Sequence, residues 1–297
     1  NEAIIPELLV WPSFIAILAL GFGCLMLVVD LGQPMVFYRA FVKSTSVLAW
    51  GARLLTVCMI FGLIWFVSYL PWEWISGLAN FLAMFRALCL AIAGIAGTCI
   101  MLYTGIFLST LKAHAFWATP ALPVLFTVSA LSTACAAITL SAGWWPFELN
   151  TGSIEAVLLY TAAMHAIHGI LHTVDIILVA CEVVVLIVMV LSFLGAGNKT
   201  ANRVAHKWIH GSYAAFFWVG MMGIGLLIPE FIYIFLGGVA SSVVAPVMVL
   251  CGGLLLRFMV VNSDERAPLP GEDRYYNRLV DHDAEFIHKW TYGENIF

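Results

Sequence analysis

Seven stretches of the chain are apolar on every side rather than on one face. They cover about residues 8–29, 47–70, 84–110, 120–142, 156–194, 206–236 and 240–261. A half-buried strand alternates with period two, and a soluble helix carries a single apolar stripe. Neither pattern is present, and the absence of alternation also argues against a transmembrane barrel. Apolar runs of about 20 residues are long enough to cross about 30 Å of hydrocarbon as helices. The runs stop where breakers stand: Gly32 to Pro34, Pro71, Pro120, Pro146, and Gly195 to Gly197. The fifth run is too long for one upright crossing, so its first part is expected to tilt or lie along the interface. From Asn262 to Phe297 the chain turns polar. The pattern predicts an all-α fold: a polytopic transmembrane bundle of seven helices over residues 1–261, and a polar extramembrane tail over 262–297.

Composition agrees. The chain is 63% hydrophobic and 10% charged, against about 25% charged in a soluble domain. It has no basic tract, which leaves no footing for nucleic acid; the bilayer is its solvent. Seven cysteines (24, 58, 89, 99, 135, 181 and 251) are scattered without a CxxC pair. Iron–sulfur and zinc spacings are therefore missing from the sequence, and no metal site is expected. The run Leu8–Val29 is too long for a signal peptide and lacks a basic start.

Charge separates the connecting segments. One side holds Arg39 and Lys43, then Lys112, then Lys199 and Arg203, with Lys207 opening the next helix and Arg257 closing the last. The opposite side holds Glu73, Glu148 and Glu155, with Arg86 the only base nearby. Taken alone, the positive-inside rule assigns the basic side to the cytoplasm. Trp11, Trp65, Trp72, Trp74, Trp117, Trp144 and Trp145 sit near segment ends, as an interfacial aromatic belt does.

Ionisable groups inside a membrane are costly, and each is a functional candidate. Asp30 closes the first run on the basic side. Tyr103 lies about two turns inside the boundary on that same side. An acid and a phenol at one depth suit a quinone headgroup, which needs a hydrogen-bond donor for a carbonyl and a group that moves protons. The plainer readings are a helix-end Asp30 paired with Arg39 or Arg53, and an interfacial tyrosine.

The second candidate is "HAIHGILHTVDIILVACE". His165, His168, His172, Asp175 and Glu182 are spaced 3, 4, 3 and 7, which puts them on one stripe of a helix. Such a stripe fits a hydrated proton path, interhelical hydrogen bonding or haem ligation. Haem needs a second imidazole from elsewhere, because ligands three or four apart cannot occupy opposite haem faces; His206 and His210 are available. His114, after Lys112, reads as a surface residue. Glu230, after the kinking Pro229, is expected to face the acidic-side interface.

Four pieces of the chain, in order, resemble the polysulfide reductase membrane-subunit (NrfD-type) family. They are "DLGQPMVFYRAF" with "STSVLAWGARLL"; "YTGIFLSTLKAHAFWATPALPVLFTVSALSTA"; "HTVDIILVACE"; and "LGGVAS" with "LCGGLLLRFMVV". Together they span about residues 20–261. The resemblance implies a quinone-binding membrane anchor in the cell (inner) membrane of a bacterium or archaeon. Its substrate would be menaquinone or ubiquinone, with no cofactor tightly bound in this chain. It implies a four-cluster ferredoxin-like iron–sulfur partner, wired to a molybdopterin or multihaem cytochrome catalytic subunit. Asp30 and Tyr103 become pocket residues, and Asp175 and Glu182 the buried acids of a proton route. Arg39, Lys43, Lys112 and His114 fall on the docking side.

Two departures accompany the resemblance. The family usually has eight or more helices with this acid ending the second, which implies a further helix before the first one here. Its partners usually sit outside the cytoplasm, against the loop charges. A haem b cytochrome subunit is the alternative. A secondary transporter is disfavoured, since no internal inverted repeat is visible.

Overall fold

A computed structural model describes residues 4–29, 47–70, 76–111, 114, 116–142, 154–195 and 199–263. Asp30, Arg39, Lys43 and Lys112 lie outside the described residues. Nine α-helices are present among the described residues: α1 Ile4–Val29, α2 Val47–Val67, α3 Ser76–Ala83, α4 Arg86–Ser109, α5 Ala121–Ser141, α6 Ile154–Gly195, α7 Lys199–Ile209, α8 Ile228–Phe235 and α9 Ala245–Asn262. A π-helix, Phe216–Leu227, leads directly into α8, and a π turn, Ala240–Val244, leads into α9. No strand occurs among the described residues.

Seven helical spans are long and apolar enough to cross a membrane, and the protein is a multi-pass membrane protein. The reason is backbone chemistry: hydrocarbon offers no partner for N–H and C=O groups, so each crossing must satisfy them within itself. Hydroxyl side chains follow the same rule. Thr56, Thr98, Thr127 and Thr173 each donate to the carbonyl four residues back.

Helices α1, α2 and α4 pack together, and α4 carries this group onto α5. Helix α5 then packs on α6 and α9, and α9 on the π-helix. Two close approaches fix this order. A Cβ on Gly105 of α4 would lie 2.3 Å from the Cα of Pro123, and one on Gly252 of α9 would lie 2.4 Å from the Cα of Gly225. Small residues that let backbones touch are how membrane helices associate without a hydrophobic drive between them. Gly238, at φ 70°, makes the turn between α8 and the last span, and its carbonyl accepts from Ser241 and Ser242.

Three expectations change. The fifth run is one continuous helix of 42 residues. Past the end of α5 at Ser141, the helix from Leu158 to His165 is exposed or half-buried. The sixth run divides: His206 to Ile209 belong to the amphipathic helix α7, and the crossing begins at Phe216. Lys207 therefore stands on α7 and opens no crossing. Trp117 is a latch as well as a belt residue, its Nε1 donating to the Val260 carbonyl at 2.9 Å. Trp208 on α7 is fully buried between Phe116 and Phe217 and donates to Ser263 Oγ at 2.6 Å. These contacts gather α7, α9 and the segment before α5 at the basic-loop end.

Candidate functional site

Helix α6 buries one face: Asp175, Val179, Glu182, Leu186, Met189 and Phe193. The polar half of that face meets α5, which runs antiparallel and buries Ser129, Ser132, Ala136 and Thr139. The two rows pair rung by rung. Ser132 Oγ donates to Asp175 Oδ1 at 2.6 Å. One rung toward the basic end, Ser129 faces Glu182. One rung the other way, His168 reaches the backbone of Thr139. Hydroxyls on one helix thus stand against acids and imidazoles on the other, forming a ladder.

The ladder is the predicted stripe with its members sorted by depth. Asp175 and Glu182 are 1% and 3% exposed. His168 and His172 are half-buried, their rings 6.1 Å apart and nearly parallel. His165 is exposed, because it lies beyond the last turn of α5. The row therefore opens at the acidic-loop end and closes toward the basic end on Leu186, Met189 and Phe193, which belong to the central apolar cluster. Val179 sits between the two acids on the same face, so α6 alone gives no continuous polar track; Ser129 and Ser132 supply the other side.

The stripe gave no sign of four further members. The Tyr233 ring on α8 lies against His172, centroids 4.6 Å apart and tilted by 36°, and brings its hydroxyl toward Asp175. Glu230, one turn earlier, is half-buried and feels the charge of Asp175. Cys135 on α5 lines the same space. Arg257 is the fourth. It lies inside α9 and not at its end, half-buried, with its charge acting on Glu182. Its Nη1 donates to the Gly253 carbonyl at 2.8 Å. A Cβ on Gly253 would stand 3.2 Å from that same Nη1 and 2.4 Å from Thr133 Cγ2, so the glycine makes the room. From the sequence, Arg257 reads as a charge closing the last helix, with no sign of its partner on α6.

Ser129 Oγ, His168 Nε2, His172 Nε2, Asp175 Oδ2 and Glu230 Oε1 are buried without a well-formed hydrogen bond, although Ser129 stands within reach of Glu182, Tyr233 of Asp175 and His168 of the Thr139 backbone. Each such atom costs about 1–3 kcal/mol when left unpaired. Their concentration in one seam is the mark of a polar, solvent-accepting interior.

The Tyr103 site lies elsewhere, on α4, about 9 Å from the end of that helix at about 1.5 Å per residue. The half-buried ring stacks on Phe107 and lies directly on Gly51 of α2. Whether Asp30 joins it falls outside the described residues. His114 is at the basic-loop end, stacked on Trp117 at 4.4 Å.

The histidines do not pair for haem. Phe193 packs on Phe116, and Phe116 on Trp208, which places α7 level with Phe193. His172 is about 30 Å farther along α6 at about 1.5 Å per residue. His206 on α7 and His210 just after it, both exposed, therefore stand at the opposite end from His165, His168 and His172, and two such imidazoles cannot hold one iron.

The family model described as "Polysulphide reductase, NrfD" matches residues 3–263. A polysulfide reductase subunit of Wolinella succinogenes is 26% identical over 268 residues, covering 85% of this chain and 80% of the relative. Protein NrfD of Escherichia coli is 27% identical over 264 residues, covering 82% and 78%. The NrfD homolog of Haemophilus influenzae is 29% identical over 226 residues, covering 70% and 65%.

Proposed function

Because the chain belongs to the polysulphide reductase NrfD family, we propose that it is the quinone-exchanging membrane subunit of a multi-subunit respiratory oxidoreductase. Two electrons and two protons separate quinone from quinol. The chain has no spacing for a redox centre of its own, so the electrons pass between the quinone and a partner. That partner is a four-cluster iron–sulfur subunit docked on the basic-loop end at Arg39, Lys43, Lys112 and His114. A molybdopterin or multihaem subunit lies beyond it. The Wolinella relative, named as one subunit of polysulfide reductase, supports membership of such an assembly.

Tyr103 donates its O–H to a quinone carbonyl oxygen, and Asp30 takes or gives the proton at the same headgroup. The ladder serves proton movement. His165 is its mouth, and His168, His172 and Asp175, joined by Tyr233 and Glu230, lead to Glu182. Buried water commonly satisfies polar atoms of this kind, and water between the rungs bridges the gap at Val179. The observation that carries the reading is the set of polar atoms without a well-formed hydrogen bond along one buried seam. An inert packing contact leaves its hydroxyls and acids paired.

The test of the pocket uses the assembled complex. Tyr103→Phe should weaken a quinone-site inhibitor by about 1–2 kcal/mol, the scale of one hydrogen bond. Asp30→Asn should preserve assembly and slow quinone turnover, since an amide does not shuttle protons. Unchanged inhibitor affinity in the first and wild-type turnover in the second would remove both residues from the pocket.

A further inference from the structure

Gly51 is buried in the second turn of α2, between the buried Ala49 and Ala52. A Cβ built on it would lie 2.2 Å from Tyr103 Cζ, 2.4 Å from Cε1 and 2.6 Å from the hydroxyl oxygen. Contacts below 3.0 Å are essentially absent from real side-chain packing, and here the neighbour is the rigid far edge of an aromatic ring. The Tyr103 ring also stacks on Phe107, centroids 6.0 Å apart. The contrast with the rest of α2 is sharp: a Cβ on Gly62 would meet nothing within 4 Å.

We propose that Gly51 is a positioning residue for Tyr103: the missing side chain is the seat that fixes the depth and direction of the phenol O–H. The inference rests on the quinone reading of Tyr103 given above. Any side chain at position 51 pushes the ring outward, and a displacement of about 1 Å at a reacting group is enough for a loss of about 100-fold in rate. Gly51 touches no substrate itself; it acts through the ring.

The experiment measures KM for quinol, inhibitor Kd and artificial-donor activity in the intact complex. Gly51→Ala should raise quinol KM and inhibitor Kd about tenfold or more, at least matching Tyr103→Phe, and leave the partner's artificial-donor activity unchanged. Gly62→Ala should behave as wild type. Tyr103→Leu removes the ring that the new methyl would strike, so Gly51→Ala should add no further loss to Tyr103→Leu. Should Gly51→Ala alone fail to assemble, the double variant Gly51→Ala/Tyr103→Leu should restore assembly. Wild-type KM and Kd in Gly51→Ala, alongside a weakened Tyr103→Phe, overturn the seat alone. Wild-type values in both overturn the quinone reading it rests on. Losses that multiply in the double variant, or assembly that the second substitution does not restore, overturn the seat as well.

Discussion

Ser132 does something the other hydroxyls of α5 do not. Thr127, Thr133, Thr139 and Ser141 return their protons to carbonyls of their own helix, whereas Ser132 donates across to Asp175. Back-bonding makes Ser and Thr inexpensive inside a membrane helix, which is why they carry little signal in a sequence. Acids and histidines there are expensive, which is why the α6 half of the ladder was legible and the α5 half was not. Ser129, Ser132 and Thr139 do recur at helical spacing, but only the fold shows that they face Glu182, Asp175 and His168. Ser132→Ala removes the 2.6 Å hydrogen bond to the Asp175 carboxyl. The variant should lose about 1–3 kcal/mol of stability, read as a lower melting temperature in detergent. Ser192→Ala is the control, since Ser192 bonds only to its own helix; equal melting temperatures for the two variants would make the Ser132 contact incidental.

At the scale of elements, the spans were legible because hydrocarbon imposes one solution on the backbone. The two places where the sequence misled are places where apolarity is shared between different surroundings. Trp208 and Val204 are buried under the bundle end and not in lipid, so α7 merges with the following run when only hydropathy is read. The π-helix Phe216–Leu227 has no compositional mark at all. It packs on α9, where Gly225 and Gly252 meet backbone to backbone. Gly252→Ala should force the two helices apart, at a cost of about 1–3 kcal/mol from overpacking. Because the π-helix leads directly into α8, Tyr233 and Glu230 should lose register with His172 and Asp175. Gly225→Ala should cost a similar amount, and the double variant less than the two together, since one separation accommodates both methyl groups. Gly94→Ala on α4, where a Cβ meets nothing within 4 Å, should be neutral or slightly stabilising. Additive losses at 225 and 252 would show that the two glycines are not one contact.

Across the whole molecule, the two candidate regions occupy different parts of the bundle and different depths. Tyr103 lies toward the basic-loop end between α2 and α4, while the ladder opens at the acidic-loop end between α5 and α6. On the quinone reading proposed above, this layout would separate electron exchange at the basic-loop end from proton exchange at the acidic-loop end. Glu182 is the innermost acid of the ladder, with Arg257 as its cation and the apolar layer of Leu186, Met189 and Phe193 beyond it. Removing its charge and its proton while keeping its shape isolates the proton role. Glu182→Gln should lower quinone-coupled turnover, because the amide neither accepts nor releases a proton. Activity of the catalytic partner with an artificial donor should stay intact, because that assay bypasses the membrane subunit. Loss of both activities together would mean failed assembly, as expected where Arg257 is left without its counter-charge at the several kcal/mol that an uncompensated buried charge costs. The double variant Glu182→Gln/Arg257→Met relieves that charge and separates the two explanations. If it assembles with quinone-coupled turnover still reduced, Glu182 carries protons. If it recovers full turnover, Glu182 serves only to neutralise Arg257, and the ladder reduces to helix-packing polarity.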